Sequence, residues 1–438
     1  MTAYLLERAW VGGAVVDDVR VEIEGGRFTG VDVLLPRFTG KVGHRLPGLT
    51  LPGLANAHSH AFHRALRGRT QRGGGTFWTW REQMYDVAGR LDPDSYHRLA
   101  TAVFREMVAA GMTTVGEFHY LHHQPDGTPY DEPHAMALAL VEAARTAGIR
   151  IALLDTCYLS SGFGAPPQPA QLRYSWGSAA AWATQTAQLR RWGEAQPHVA
   201  VGAAIHSVRA VPRADLPTVV EAARGGPLHV HLSEQVQEND DCLAAYGVTP
   251  TALLQEAGAL GPDTTVVHAT HLTDADVEQL GTTGTTVCMT PTTERDLGDG
   301  IGPSRALHDA GARLSLGSDS HAVVDPFEEM RAVELDERLA TQRRGHWSAA
   351  ELLTAATRHD SLGFADAGRI EVGARADLVT LATDTPTTAG TGADEQTAVF
   401  AATAADVTHV VVDGRVVYDG DRAAVGRALH DEIQRLMG

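Results

Sequence analysis

Apolar and polar positions alternate in two distinct ways along the chain. The first fifty residues hold short alternating runs, Ala14-Val15-Val16 and Val21-Glu22-Ile23-Glu24, which predict strands of a small β unit. The last seventy repeat this texture: Asp377–Leu381 reads as a strand, and His409–Val417 as a strand pair turned at Asp413-Gly414. Thr383–Gln396, rich in Thr, Gly and Asp, reads as a loop between them. The middle behaves differently. Apolar runs recur at Leu49–Ala57, Thr113–Phe118, Ile149–Cys157, Val199–Ile205, Leu228–Leu232, Thr265–His268, Thr285–Met289 and Arg313–Gly317. Between most of them lie segments with apolar residues at three- and four-residue spacing. Tyr96–Ala110 and Pro133–Ala147 are the clearest, each closed by a glycine, Gly111 and Gly148. Eight strand-like runs alternating with helices predict an α/β fold, a (β/α)8 TIM-like barrel. A doubly wound open sheet competes, but no GxGxxG follows the first strand. The expected division is a barrel over 49–371 and a small β-sandwich domain built from 1–48 and 372–438.

Composition narrows the class. The chain has 438 residues, 43% hydrophobic and 21% charged, which fits a well-packed globular protein and excludes a disordered one. No apolar run approaches the ~20 residues that cross a bilayer. Lys+Arg 36 against Asp+Glu 54 gives a net charge of -18, which argues against a nucleic-acid surface. Glu7 and Arg8 interrupt the first apolar run, so Met1–Gly13 does not read as a secretory signal. Cys157, Cys242 and Cys288 are odd in number and contain no CxxC pair, so they read as thiols in a reducing compartment. A cytoplasmic location is the expectation.

The histidines change the picture. There are 21, and several stand at strand ends, where a barrel gathers its functional side chains. Strand one ends in Asn56-Ala57-His58-Ser59-His60, and the HxH spacing puts two imidazoles on one face. Strand four ends in His206, with Arg209 just beyond. Strand five runs through His229 and His231 to Glu234, strand six ends in His268, and strand eight leads to Asp319. Three imidazoles (His58, His60, His231) and one carboxylate (Asp319) form a nitrogen and oxygen donor set suited to zinc. His229 lies deeper in its strand and reads as core. His119, His122 and His123 read as solvated loop residues, with Tyr120 beside them as a hydroxyl able to hold a ligand anion. Trp78 and Trp80 read as pocket wall or core. Lys41 is the only lysine and precedes strand one, so any chemistry that needs a lysine must use it.

These motifs resemble the amidohydrolase superfamily. The resemblance rests on Leu51–His60, on His231, His268 and Asp319, and on the tail Gly373–Val379, and it covers essentially the whole chain. Four further stretches, Phe77–Glu82, Gly116–His123, His206–Val211 and Thr293–Gly300, are similar to the branch that hydrolyses N-formimino-L-glutamate. The resemblance implies one zinc per subunit held by His58, His60, His231 and Asp319: members with two metals bridge them by a barrel lysine, which this chain lacks, leaving Glu117 or Cys157 as the remaining routes to a second metal. It implies Glu234, His268 and Asp319 as acid/base residues. It further implies that Arg81, Tyr120, His206 and Arg209 hold a substrate with two carboxylates. His63 takes a position where the family usually has a substrate-contacting glutamine. The implied reaction cleaves the formimino C–N bond to give N-formyl-L-glutamate and ammonia, a step of histidine degradation. The only partner implied is this small molecule, with no nucleic acid and no membrane, and a homodimer is the family-level expectation. Two alternatives remain: a deaminase of a guanine- or adenine-type base, and a non-catalytic scaffold.

Overall fold

The structure is a computed structural model that describes residues 2–34, 43–71 and 77–438. Lys41 and the side chain of Trp78 lie outside the described residues. Two sheets organise the chain. The first has seven strands: β1 (Thr2–Val11), β2 (Ala14–Glu24), β3 (Arg27–Val33) and β4 (His44–Pro52), followed in sequence, after the second sheet, by β13 (Leu378–Leu381), β14 (Val407–Val412) and β15 (Arg415–Tyr418). Their order is β15-β14-β13-β4-β1-β2-β3, so both ends of the chain meet where β4 pairs antiparallel with β13. The predicted turn holds: Asp413 and Gly414 have φ of 47° and 76°, the double positive φ of a type I′ hairpin.

The second sheet has eight parallel strands: β5 (Leu54–Ser59), β6 (Met112–His119), β7 (Arg150–Cys157), β8 (Val199–Ile205), β9 (Leu228–Leu232), β10 (Thr264–His268), β11 (Thr286–Met289) and β12 (Arg313–Leu316). Helices cross between most of them, as the alternating pattern predicted. The helix Pro93–Ala109 starts three residues before the periodic run, because Asp92 caps it and Ser95 completes a capping box. The helix Ala135–Ala147 ends on Gly148 at φ 81°, where a left-handed residue closes the last turn. The helix Arg422–Met437, for which no prediction was made, packs on Pro93–Ala109.

One predicted strand divides. Leu49–Ala57 reads as a single apolar run, but its halves belong to different sheets, with the break at Gly53. Both halves are buried, so hydrophobicity alone carries no sign of the change. Gly53 sits between Thr113 and Asp377, and a Cβ there would come 2.7 Å from Asp377 Cβ and closer still to Thr113 Oγ1. Its N–H donates to the Asp377 carbonyl at 3.2 Å.

The barrel closes at β5 and β12 through Asp319. The Asp319 N–H donates to the His58 carbonyl at 3.0 Å, and the His60 N–H donates to the Asp319 carbonyl at 3.2 Å. Asn56 locks the same seam, accepting from the Ser318 N–H at 2.9 Å and donating to Ser318 Oγ at 2.7 Å.

A buried ion pair ties the two sheets together. Arg150 at the start of β7 pairs with Asp377 just before β13, and both are almost wholly enclosed. Asp377 also accepts from the Asp413 N–H at 3.0 Å. Removing one partner strands a buried charge, which costs about 3–5 kcal/mol. Asp377→Ala is therefore expected to lower unfolding free energy by about that amount in denaturant titration. A loss below 1 kcal/mol would show that the pair does not hold the sheets.

Candidate metal centre and active site

Three imidazoles and a carboxylate converge where the barrel closes. His58 Nε2 lies 3.0 Å from His231 Nε2 and 3.2 Å from Asp319 Oδ1. His60 Nε2 lies 3.3 Å from His231 Nε2 and 3.4 Å from Asp319 Oδ1. The ring orientations are set from behind. His60 Nδ1–H donates to the Phe118 carbonyl at 3.3 Å, and His231 Nδ1–H donates to the His206 carbonyl at 2.7 Å. Each donated proton leaves a lone pair on the opposite Nε2. Two lone pairs thus face each other beside a carboxylate, with no proton to separate them.

A cation resolves this. Zinc bonds of about 2.0–2.1 Å in a tetrahedral set separate ligand atoms by roughly 3.3 Å. The four observed separations, 3.0–3.4 Å, match that edge. Burial lowers the pKa values of all three histidines, keeping them neutral as ligands must be. Burial alone would raise Asp319, but the hydrogen bond from His58 and the nearby imidazoles hold it well below the usual carboxylate range. The residues fit a divalent cation of the zinc class.

Above this cluster opens a cavity whose wall combines imidazoles, carboxylates, arginines and aromatic rings. Every sequence-predicted site residue lines it except His58, which is fully buried beneath. Glu234 and His268 stand beside the metal cluster, with Glu234 Oε1 4.0 Å from His268 Nε2. Burial raises the Glu234 carboxyl above its usual value, against the pull of His268. His268 is pushed up to about 10, because the carboxylates of Glu234, Glu294 and Asp319 outweigh burial. Its Nδ1–H donates to Glu294 Oε1 at 3.1 Å, and Thr290 Oγ1 donates to the same oxygen at 2.8 Å. Three residues around the centre, Ser233, His268 and Asp319, hold positive φ of 50°, 69° and 37°. Such backbone costs of order 1–3 kcal/mol per residue and collects at functional sites.

The far wall is cationic and aromatic. Arg209 Nε donates to Glu238 Oε2 at 2.7 Å, and Glu238 Oε1 accepts from the Ser233 N–H at 3.0 Å. Glu238 raises the Arg209 pKa despite burial, so the guanidinium stays charged. Arg81 Nε donates to Tyr85 Oη at 2.7 Å. Gln171 Nε2 donates to both Tyr85 Oη and Tyr158 Oη, at 2.9 and 2.8 Å. His63 Nε2 and Tyr120 Oη lie 3.1 Å apart, and burial brings His63 down to about 3, so it is neutral. His206 packs its ring 4.6 Å from Tyr158, while its carbonyl orients His231. Trp80 lines the cavity beside His63.

Other expectations are placed as follows. His229 is buried and hydrogen-bonds the Ser361 carbonyl at 3.0 Å, as a core residue. Glu117 accepts from Ser59 Oγ at 2.6 Å and the Ala61 N–H at 2.7 Å, so both oxygens are committed away from the metal cluster. All three cysteines are free and buried. His119, His122 and His123 are a correction: they are not solvated but buried, each at most 3% exposed. The chain around Arg173 and Trp176 folds back over them, which local sequence does not announce. Sequence reasoning also passed over Glu238 and Glu294. Both sit on short helices and read as ordinary surface acids.

The barrel and its His/Asp cluster define a metal-dependent hydrolase. The model of the amidohydrolase family matches residues 49–417. A formimidoylglutamate deiminase from Pseudomonas aeruginosa is 36% identical, with 100% of this chain and 99% of that protein covered. A 5-methylthioadenosine/S-adenosylhomocysteine deaminase from Shouchella clausii is 29% identical over 95% of this chain and 94% of its own. An amidohydrolase crystal structure from Brucella melitensis superposes with a TM-score of 0.90 at 30% identity, with both chains covered completely. The chain belongs to the amidohydrolase family, as an enzyme that hydrolyses C–N bonds. No helix among the described residues is long and apolar enough to cross a membrane.

Because the centre repels itself without a cation, metal extraction is expected to lower the thermal unfolding midpoint and zinc to restore it. At a thousandfold excess over Kd the linkage amounts to about 4 kcal/mol. An unchanged midpoint after complete chelation would contradict the lone-pair argument.

Proposed function

We propose that this enzyme hydrolyses N-formimino-L-glutamate to N-formyl-L-glutamate and ammonia, using one zinc at the barrel mouth. One observation carries the reading: a single cavity has the His58/His60/His231/Asp319 cluster with Glu234 and His268 at one end, and Arg81 and Arg209 on the wall. That combination suits a small amidine with two carboxylates. The 36% identity to a formimidoylglutamate deiminase supports the same substrate.

The chain's net charge of -18 repels anions on average, so a dianion needs local cations. Arginine serves this well, because its planar fork binds carboxylates bidentately. Arg209, fixed by Glu238, and Arg81, fixed by Tyr85, hold the two carboxylates in this reading. Tyr120, His63 and His206 add hydrogen bonds from neutral groups, which position the ligand without further charge.

Zinc, when bound by His58, His60, His231 and Asp319, lowers the pKa of water toward about 7. Asp319 accepts the proton of the attacking water. His268, charged and braced by Glu294 and Thr290, donates a hydrogen bond to the oxygen as it adds to the formimino carbon. Glu234, whose carboxyl is raised by burial, carries a proton to the nitrogen that departs as ammonia. The balance is one amidine and one water giving one formamide and one ammonia.

Glu234→Gln keeps the shape of the side chain but cannot carry the proton. It is expected to lower kcat by about 10²–10⁴ with metal content intact. A variant that releases ammonia at the native rate removes Glu234 from the mechanism. Arg209→Ala is expected to raise KM for N-formimino-L-glutamate by about 10- to 100-fold, the loss of a charge-assisted hydrogen bond, with a smaller effect on kcat. An unchanged KM refutes the clamp.

A further inference from the structure

Phe118 packs its ring against His58, His60 and His231 inside the barrel. Side chains alternate along a strand, so His119, the next residue, projects to the outer face of β6. Asp155 on β7 is the register partner of His119 and shares that face. The loop after β6 brings His122 to the same place, its ring 5.0 Å from that of His119. One ligand atom from each of these three residues lies within 4.8 Å of the others, and all three are buried.

The polar groups here are unbalanced. His122 Nε2–H donates to the Thr156 carbonyl at 3.0 Å, which leaves a lone pair on Nδ1. That lone pair faces Asp155 Oδ1 at 3.7 Å. The other Asp155 oxygen is taken by the hydroxyl of Thr186, on the covering helix Ala179–Gly193. His119 Nδ1 is buried with no hydrogen-bond partner. The nearby guanidinium of Arg173 offers no relief, because its Nη groups donate to the carbonyls of Ala88, Leu91 and His123. Asp155 is served by the Thr186 hydroxyl and the Trp182 indole, while His119 Nδ1 has no partner and the His122 Nδ1 lone pair faces a carboxylate; buried polar groups are normally paired, and a cation would serve these two nitrogens and the carboxylate together.

We propose that His119, His122 and Asp155 bind a second divalent cation of the zinc class, outside the barrel and separate from the catalytic centre. Two imidazoles and a carboxylate are a borderline donor set that suits this ion. His134 has an unpartnered Nε2 and packs on Trp176, the ring that also covers His122. The ion is structural in this account. It pins the loop after β6 to β7, and that loop carries Tyr120 into the cavity wall beside His63. The proposal does not depend on the identity of the substrate.

Metal stoichiometry tests it. Full-length protein, loaded with excess zinc and freed of unbound metal by gel filtration, is expected to hold two equivalents by mass spectrometry. His122→Gln and Asp155→Asn are each expected to hold one. The double variant His58→Ala/His60→Ala, which empties the catalytic centre, is also expected to retain one. Anomalous diffraction at the zinc edge should place the second ion among His119, His122 and Asp155, and this reading survives even if a single variant misfolds. One equivalent in the native protein with none in the double variant overturns the proposal. So does a second equivalent that persists in both His122→Gln and Asp155→Asn.

Discussion

Everything at the mouth of this barrel follows from one electrostatic constraint. His60 and His231 are turned so that their unprotonated nitrogens meet 3.3 Å apart, with Asp319 3.4 Å from the first. Such an arrangement is repulsive until a cation enters. The fold enforces it through backbone rather than side-chain choice. The Asp319 peptide bonds to the residues on either side of Ser59, so the seam that closes the barrel also fixes three of the four ligands. The fourth, His231, is steered by the His206 carbonyl. Strand closure therefore places the metal ligands, although the backbone seam itself does not require their side chains.

The same economy shapes Glu234, His268 and the cationic wall. Glu234 lies in the turn after β9, directly after Ser233 in its left-handed backbone, and His268 ends β10 in the same backbone region. These costs are offset by the hydrogen bonds that Glu238 and Glu294 supply from the neighbouring helices. Glu238 does two things at once: it braces the turn that carries Glu234, and it keeps Arg209 ionised. An acidic protein can then present a localised positive wall while its overall field stays negative.

Much of this was legible in the sequence. Eight apolar runs with intervening helices carried the barrel, and polar residues just past those runs carried the centre: His58, His60, His231, His268 and Asp319 all lie where strand periodicity placed them. What stayed hidden had no local signal. Leu49–Ala57 is apolar throughout because both sheets bury it, so the division at Gly53 is set by Thr113 and Asp377 from distant parts of the chain. His119, His122 and His123 read as loop residues because their cover, around Arg173 and Trp176, lies some fifty residues away. Glu238 and Glu294 matter only through the residues they brace, and a carboxylate on a short helix gives no hint of that.

In the proposed reading this cavity pairs a C–N hydrolytic centre with recognition of two carboxylates, a combination unlike that needed for the compounds named for its 5-methylthioadenosine/S-adenosylhomocysteine deaminase relatives. The most direct measurement is ammonia release by the zinc-loaded enzyme from N-formimino-L-glutamate and from 5-methylthioadenosine, compared as kcat/KM under one set of conditions. Efficient turnover of the first is expected, with at least about 10³-fold lower kcat/KM for the second, as befits a site whose buried charges an uncharged purine would leave unpaired. Comparable or better turnover of 5-methylthioadenosine would contradict it.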